Sequence, residues 1–247
     1  MMRKNIVFFL SILLIILALA PDLAYSQSKI KPMLSGEVFD HFDQLYKVDA
    51  RLVSGDFYQT PFMNNLAGHP FFFDPAWKSG SVVLDGIQFD NLQIRYDINS
   101  NQLILNTVGI TGSYIQLILK KNQISSFNIG NHAFRPYPGT MPLTGVQFCE
   151  ILASGKVDFL LVKTKRLKVA ADGSSDYVYQ SSQMKTLQMN DELIRYRGRR
   201  TLYKLFPELK AQLRNFIKNE HLKYRRISLE GHVKLISFCN SLLLEEE

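Results

Sequence analysis

Val82-Val83-Leu84-Asp85-Gly86-Ile87-Gln88-Phe89 sets an apolar run on each side of an Asp-Gly pair. Asp-Gly accepts the positive φ angles of a two-residue hairpin turn, so the stretch predicts two antiparallel strands joined tightly. Downstream, Leu92, Ile94 and Tyr96 alternate with Gln93 and Arg95, the period of a strand with one buried and one wet face. Asp97 to Asn101 reads as a turn and Leu103 to Val108 as the next strand. Ile115, Leu117 and Leu119 then lead through Lys120-Lys121-Asn122 into Ile124 to Ile129, which makes the segment a meander.

Beyond a Pro- and Gly-punctuated loop from Pro136 to Gly145, the apolar run Val146 to Leu152 fits helix or strand. Val157 to Val169 reads as a long strand, and Tyr177 to Met189 with Glu192 to Arg197 as a hairpin around Asn190-Asp191. The period then changes. Thr201 can cap a helix whose apolar positions Leu205, Leu209, Leu213, Phe216 and Ile217 recur every three to four residues, with Pro207 placed in its first turn. A second helix follows Ser228, carrying Leu229, Val233, Ile236, Cys239 and Leu243 along one stripe. Strands first and helices last predict an α+β fold: an N-terminal antiparallel β-meander, as a curved sheet or half-barrel, followed by a C-terminal helical hairpin.

At the other end of the chain, Arg3 and Lys4 precede an apolar run from Ile6 to Ala20 and a polar exit at Pro21 and Asp22. That is the outline of a secretory signal, with Ala24 and Ser26 as the small residues before a cut after position 26. The run is shorter than the roughly 20 residues that span a bilayer. Residues 27–247 are therefore expected as one exported α+β domain, periplasmic or extracellular, without a transmembrane span, β-rich over about 38–197 and helical over about 201–244. Cys149 and Cys239 both sit in apolar settings and read either as a disulfide or as two buried free thiols.

The chain of 247 residues is 46% hydrophobic and 21% charged, which excludes collagen, low-complexity disorder and a multi-span membrane protein. Its net charge of +7 is unevenly placed. Residues 27–150 hold 9 Lys and Arg against 10 Asp and Glu, whereas residues 151–247 hold 18 against 11. The densest basic run is Arg195, Tyr196, Arg197, Gly198, Arg199, Arg200. If a strand continues through Gly198, then Arg195, Arg197 and Arg199 point the same way and form a ladder that can fork onto phosphate or carboxylate, with Arg200 beside it. Lys163, Lys165, Arg166 and Lys168 can enlarge it from a neighbouring strand. The alternative is a solvated strand face that protects an edge from aggregation.

The aromatic cluster Phe71, Phe72, Phe73 and Trp77 reads as core, or as the lining of a ligand groove. Asp40, His41 and Asp43 are the densest group of metal-ligand types, but no histidine pair has zinc-protease spacing, and neither metal nor cofactor is expected. No Gly-x-Ser-x-Gly elbow is present. Asp56, Asp74, Asp85, Asp90, Asp97 and Glu150 would have to converge in space to form a glycosidase-like pair.

Gly68-His69-Pro70-Phe71-Phe72-Phe73, Trp77 with Gly80, Leu84-Asp85-Gly86 leading to Arg95-Tyr96-Asp97, Gln102-Leu103-Ile104-Leu105, Ile124 to Phe127, Glu150-Ile151-Leu152 with Gly155, and the two terminal helices together resemble a family of exported Bacteroidota proteins of unknown function. The likeness covers about residues 50–244. It implies a periplasmic or envelope-facing role in a Gram-negative bacterium and transfers no catalytic residue. The expectation is a non-enzymatic envelope protein that binds an anionic envelope component or another protein, not nucleic acid. A periplasmic carrier of a lipid or glycan comes second, and a hydrolase using non-local carboxylates third.

Overall fold

The computed structural model describes residues 49, 51–60, 63–109, 111–139, 147–171, 175–222 and 227–245. The expected leader and the Asp40, His41 and Asp43 group lie outside the described residues. Among the described residues the fold is α+β, mostly one open sheet of 11 strands, with three helices at the C-terminal end. The strands are β1 (Leu66–Ala67), β2 (Lys78–Leu84), β3 (Ile87–Asp97), β4 (Gln102–Val108), β5 (Tyr114–Ile118), β6 (Ile124–Ile129), β7 (His132–Pro136), β8 (Phe148–Ala153), β9 (Asp158–Val169), β10 (Tyr177–Met189) and β11 (Glu192–Arg195). The helices are α1 (Arg199–Leu205), α2 (Lys210–Asn219) and α3 (Leu229–Glu245).

The Asp-Gly pair turns β2 into β3 with Leu84 opposite Ile87, and Asp85 and Gly86 take φ of 50° and 79°. Asn190 plays the same part between β10 and β11, with φ of 51° and Met189 opposite Glu192. Val146 to Leu152, open between helix and strand, contributes the strand β8. The strands do not form one uninterrupted meander. The spatial order is β1-β10-β9-β8-β7-β6-β2-β3-β4-β5, with β11 also on β10, so β2 stands between β3 and β6 and joins two sequential ribbons. The sheet is open yet bends. The Lys165 N–H donates to the Ile98 carbonyl at 3.2 Å although five strand spacings separate β9 from β3. Laid flat, those spacings would hold the strands about 24 Å apart.

The expected helical hairpin is instead three helices. Pro207 does not sit inside a first helical turn but separates α1 from α2, since its ring lacks the N–H and restricts the residue before it. At the start of α3 the Ser228 hydroxyl accepts the Gly231 N–H at 3.1 Å, a side-chain cap.

Two large apolar clusters and a small third one of Cys149, Leu160 and Val162 hold the described residues together. Val82, Ile94, Tyr96, Leu103, Leu105, Phe127, Phe134, Phe148 and Phe72 form one, in which the Phe127 and Phe134 rings stack at 4.6 Å. Val157, Phe159, Leu187 and Tyr196 of the sheet end form the other with Leu202, Leu209, Leu213, Leu235, Ile236 and Cys239 of the helices. The helices thus cover the β9–β11 end rather than standing apart. Asn240 pegs α3 there: its side chain accepts the Val157 N–H and donates to the Val157 carbonyl, both at 2.9 Å.

Candidate functional site

β11 pairs with β10 from Glu192 to Arg195, and the Tyr196 N–H extends the ladder by donating to the Lys185 carbonyl at 2.9 Å. Side chains alternate along this stretch. Tyr196 turns inward, 5% exposed, with its ring 5.1 Å from that of Phe159. Its hydroxyl meets His232 Nδ1 at 2.8 Å. Burial pushes the Tyr196 hydroxyl well above its usual range and, helped by Lys185, draws His232 down to about 4. The neutral Tyr196 O–H therefore donates and the imidazole nitrogen accepts.

Arg195 and Arg197, on either side of Tyr196, are exposed. The strand does not run on through Gly198, as the ladder of Arg195, Arg197 and Arg199 required. Gly198 adopts φ of 107°, a left-handed value that side-chain-bearing residues avoid, and α1 begins at the next residue. The Arg197 N–H donates to the Thr201 hydroxyl at 3.1 Å, which fastens the turn. Arg199 enters the helix half-buried and leaves the ladder. Arg200 and Lys204, four positions apart and both exposed, form one stripe of α1, and Thr201 and Leu205 form the next.

A cleft of about 550 Å³ lies between strand and helix, lined by Ile194, Arg195, Arg197, Arg200, Thr201, Lys204 and Leu205. None of the lining residues is acidic. Among the described residues no ion pair neutralises its four cations. Sequence reasoning singled out Arg195, Arg197 and Arg200 but missed Lys204, Ile194 and Leu205. The signal for Lys204 was its spacing from Arg200, which becomes legible once the helix start is placed at Gly198.

The other basic residues have different surroundings. Lys165 Nζ donates to the carbonyls of His69 and Phe71, each at 2.8 Å, and lies near the Asp97 carboxylate. Burial lowers its pKa. Lys163 Nζ stands 4.2 Å from the centre of the Phe72 ring. The four aromatic residues of the cluster stand in two settings. Phe72 sits in the first core cluster beside Phe73, and Phe71 and Trp77 flank the Arg95 guanidinium at 4.3 and 3.7 Å from their ring centres. Phe72 and Ile98 also wall a second cleft of about 510 Å³ over Lys163, Thr164, Lys165, Ser181, Ser182 and Gln183.

Three of the six candidate carboxylates take structural partners. Asp97 accepts the N–H groups of Asn99 and Ser100 and the Tyr58 hydroxyl, Glu150 meets His132 Nδ1 at 2.5 Å, and Asp74 pairs with Lys78 at 2.8 Å. Among the described residues no three His, Cys, Asp or Glu side chains are arranged to hold a metal. Cys149 and Cys239 are free and buried in separate clusters, each with its thiol pushed up to about 11 by burial. No helix among the described residues is long and apolar enough to cross a membrane.

Fold and site together define an α+β protein with an open, mainly antiparallel sheet, a helical cover at one end and a cationic cleft where the two meet. Compared with models of protein families, with curated proteins and with solved structures, the chain matches none.

Proposed function

We propose that this is a non-enzymatic, exported binding protein of the cell envelope whose partner presents an anionic group to the cleft of Arg195, Arg197, Arg200 and Lys204. The observation that carries the reading is the convergence of these exposed cations from a strand and a helix on one concavity without an acidic neighbour in its lining. Arginine forks match carboxylate and phosphate oxygens in pairs, and a concave setting concentrates their field. The apolar run near the N-terminus and the likeness to exported Bacteroidota proteins support an envelope compartment, where nucleic acid is not the expected partner. The partner is an envelope component or another protein.

The test is flotation of the protein with vesicles of phosphatidylcholine containing either no anionic lipid or about one third phosphatidylglycerol, across a salt series, for the parent and an Arg197→Glu, Arg200→Glu double variant. The parent should bind the anionic vesicles and release them as salt shortens the Debye length from about 30 to 8 Å. The double variant should lose the interaction while keeping its melting temperature. Equal binding by both would sink the assignment of the cleft.

A carrier of a small lipid or glycan is the second reading, and its seat is the cleft walled by Phe72 and Ile98. The space between sheet and helices is filled by Phe159, Leu187, Leu202, Leu213, Leu235 and Ile236 and leaves no room for such a ligand.

A further inference from the structure

The cationic cleft has a composition that discriminates among anions. Its strand wall presents Arg195 and Arg197 two positions apart, about 7 Å along the strand. Its helix wall presents Arg200 and Lys204 about 6 Å apart along the axis. Four cations gathered on one concavity suit more than one negative charge. Two of the lining residues are of another kind. Ile194 and Leu205 pack against the helix-covered core and are half-buried, and the part of each that stays uncovered lines the cleft. A small inorganic anion would leave that surface wet. The volume of about 550 Å³ is also that of a pocket for an organic molecule rather than for a single oxyanion.

We infer that the cleft takes a phosphate monoester carrying a hydrocarbon substituent, with the phosphate among Arg195, Arg197 and Arg200 and the first methylenes against Ile194 and Leu205. This rests on the anion-binding reading above and narrows its ligand to an amphiphile. Planar guanidinium groups bond phosphate oxygens in pairs, and a monoester carries close to two charges at neutral pH, where a diester or a sulfate monoester carries one. Lys204 adds a mobile point charge at the far end of the helix stripe. The phosphate can arrive on a lipid in a bilayer or on a soluble phosphorylated molecule, and the chemistry recognised is the same.

Calorimetric titration of the exported protein with inorganic phosphate, butyl phosphate, hexyl phosphate and hexyl sulfate separates the contributions. Affinity should climb at least tenfold from inorganic phosphate to hexyl phosphate, since each methylene fully removed from water is worth roughly a factor of four. Hexyl phosphate should bind at least tenfold more tightly than hexyl sulfate, and the Arg197→Glu, Arg200→Glu variant should lose both. Vesicles containing phosphatidic acid, compared with vesicles containing phosphatidylglycerol, distinguish the sources. Preference for phosphatidic acid, reversed by added hexyl phosphate, assigns the ligand to the bilayer, and hexyl phosphate binding without vesicle binding assigns it to a soluble molecule. Hexyl phosphate no tighter than inorganic phosphate, or no tighter than hexyl sulfate, overturns the amphiphilic monoester and leaves the anion site standing. Anionic vesicles bound equally by parent and variant, with no phosphate species bound, overturn both.

Discussion

Two regions of the molecule are rich in cations, and they spend them differently. Around Phe71 to Trp77, Arg95 is clamped between two aromatic rings, Lys165 ties the carbonyls of His69 and Phe71, and Lys163 faces Phe72. There the charges tie the irregular segment from His69 to Trp77 to the sheet. At the other end, Arg195, Arg197, Arg200 and Lys204 are exposed and face a cleft with no acid in its lining. The difference shows that basic residues alone do not mark a binding surface. What sets the cleft apart is that, among the described residues, no ion pair engages Arg195, Arg197, Arg200 or Lys204.

Replacing Arg95 by alanine tests the first half of that statement and should have the largest effect. The change removes the contacts to Trp77 and Phe71 and the hydrogen bond to the Pro75 carbonyl at 2.8 Å. A loss of about 1–3 kcal/mol in urea unfolding is expected from a partly desolvated cation–π clamp and its hydrogen bond. An unchanged midpoint would mean that the clamp holds nothing.

The inner side of the Tyr196 strand gives an intermediate effect. His232 stays neutral in the folded protein down to about 4, whereas an unfolded histidine takes up a proton near 6.5. Its contribution is fully present above pH 6.5 and is lost as pH falls from 6.5 through 4, because only the unfolded chain binds the extra proton over that window. Allowing for its half-exposed ring, the loss attributable to His232 is about 1 kcal/mol. A His232→Phe variant should show that much less acid sensitivity between pH 7 and 4. A pH profile parallel to the parent's would refute the assignment.

The smallest effect is expected at the cleft. Arg195→Ala and Arg200→Ala should each shift stability by less than about 0.5 kcal/mol, as exposed substitutions do when no structural partner is lost. A shift comparable to that of Arg95→Ala would erase the distinction between the two regions.

The local parts of this fold were legible in the sequence because their cause is local. Asp85-Gly86 and Asn190 place positive φ angles where a hairpin needs them, and the alternation from Leu92 to Tyr96 matches a strand with one buried face. The Asp97 turn is likewise written in its own residues, since the carboxylate accepts the N–H groups two and three positions on. Pairings between distant segments leave no such trace. Nothing in Leu66-Ala67 announces that it lies parallel to Tyr177 and Val178, and nothing in Phe71 announces a bridge to Asp97. The basic run was visible, but its division into a strand wall and a helix wall depended on Gly198, whose role could be turn or strand until the pairing of β11 fixed it. Pro207 was placed within a helix because Thr201 and the apolar spacing fit one continuous helix. The break falls at Pro207, whose ring cannot donate a helical N–H, and α1 and α2 then pack against the same sheet end.

The position of β2 has a consequence for how the chain comes together. It finds β3 within a two-residue turn, but its other neighbour, β6, pairs Leu84 with Ile124, some 40 residues later. A chain that emerges from its N-terminus therefore holds a finished β2–β5 ribbon whose exposed flank carries unpaired amides along a stretch containing Val82 and Leu84. Such a flank is a template for wrong partners until the later strand arrives. Nascent molecules would then be most vulnerable to clumping, and most in need of an escort, in the interval between the appearance of β2 and that of β6.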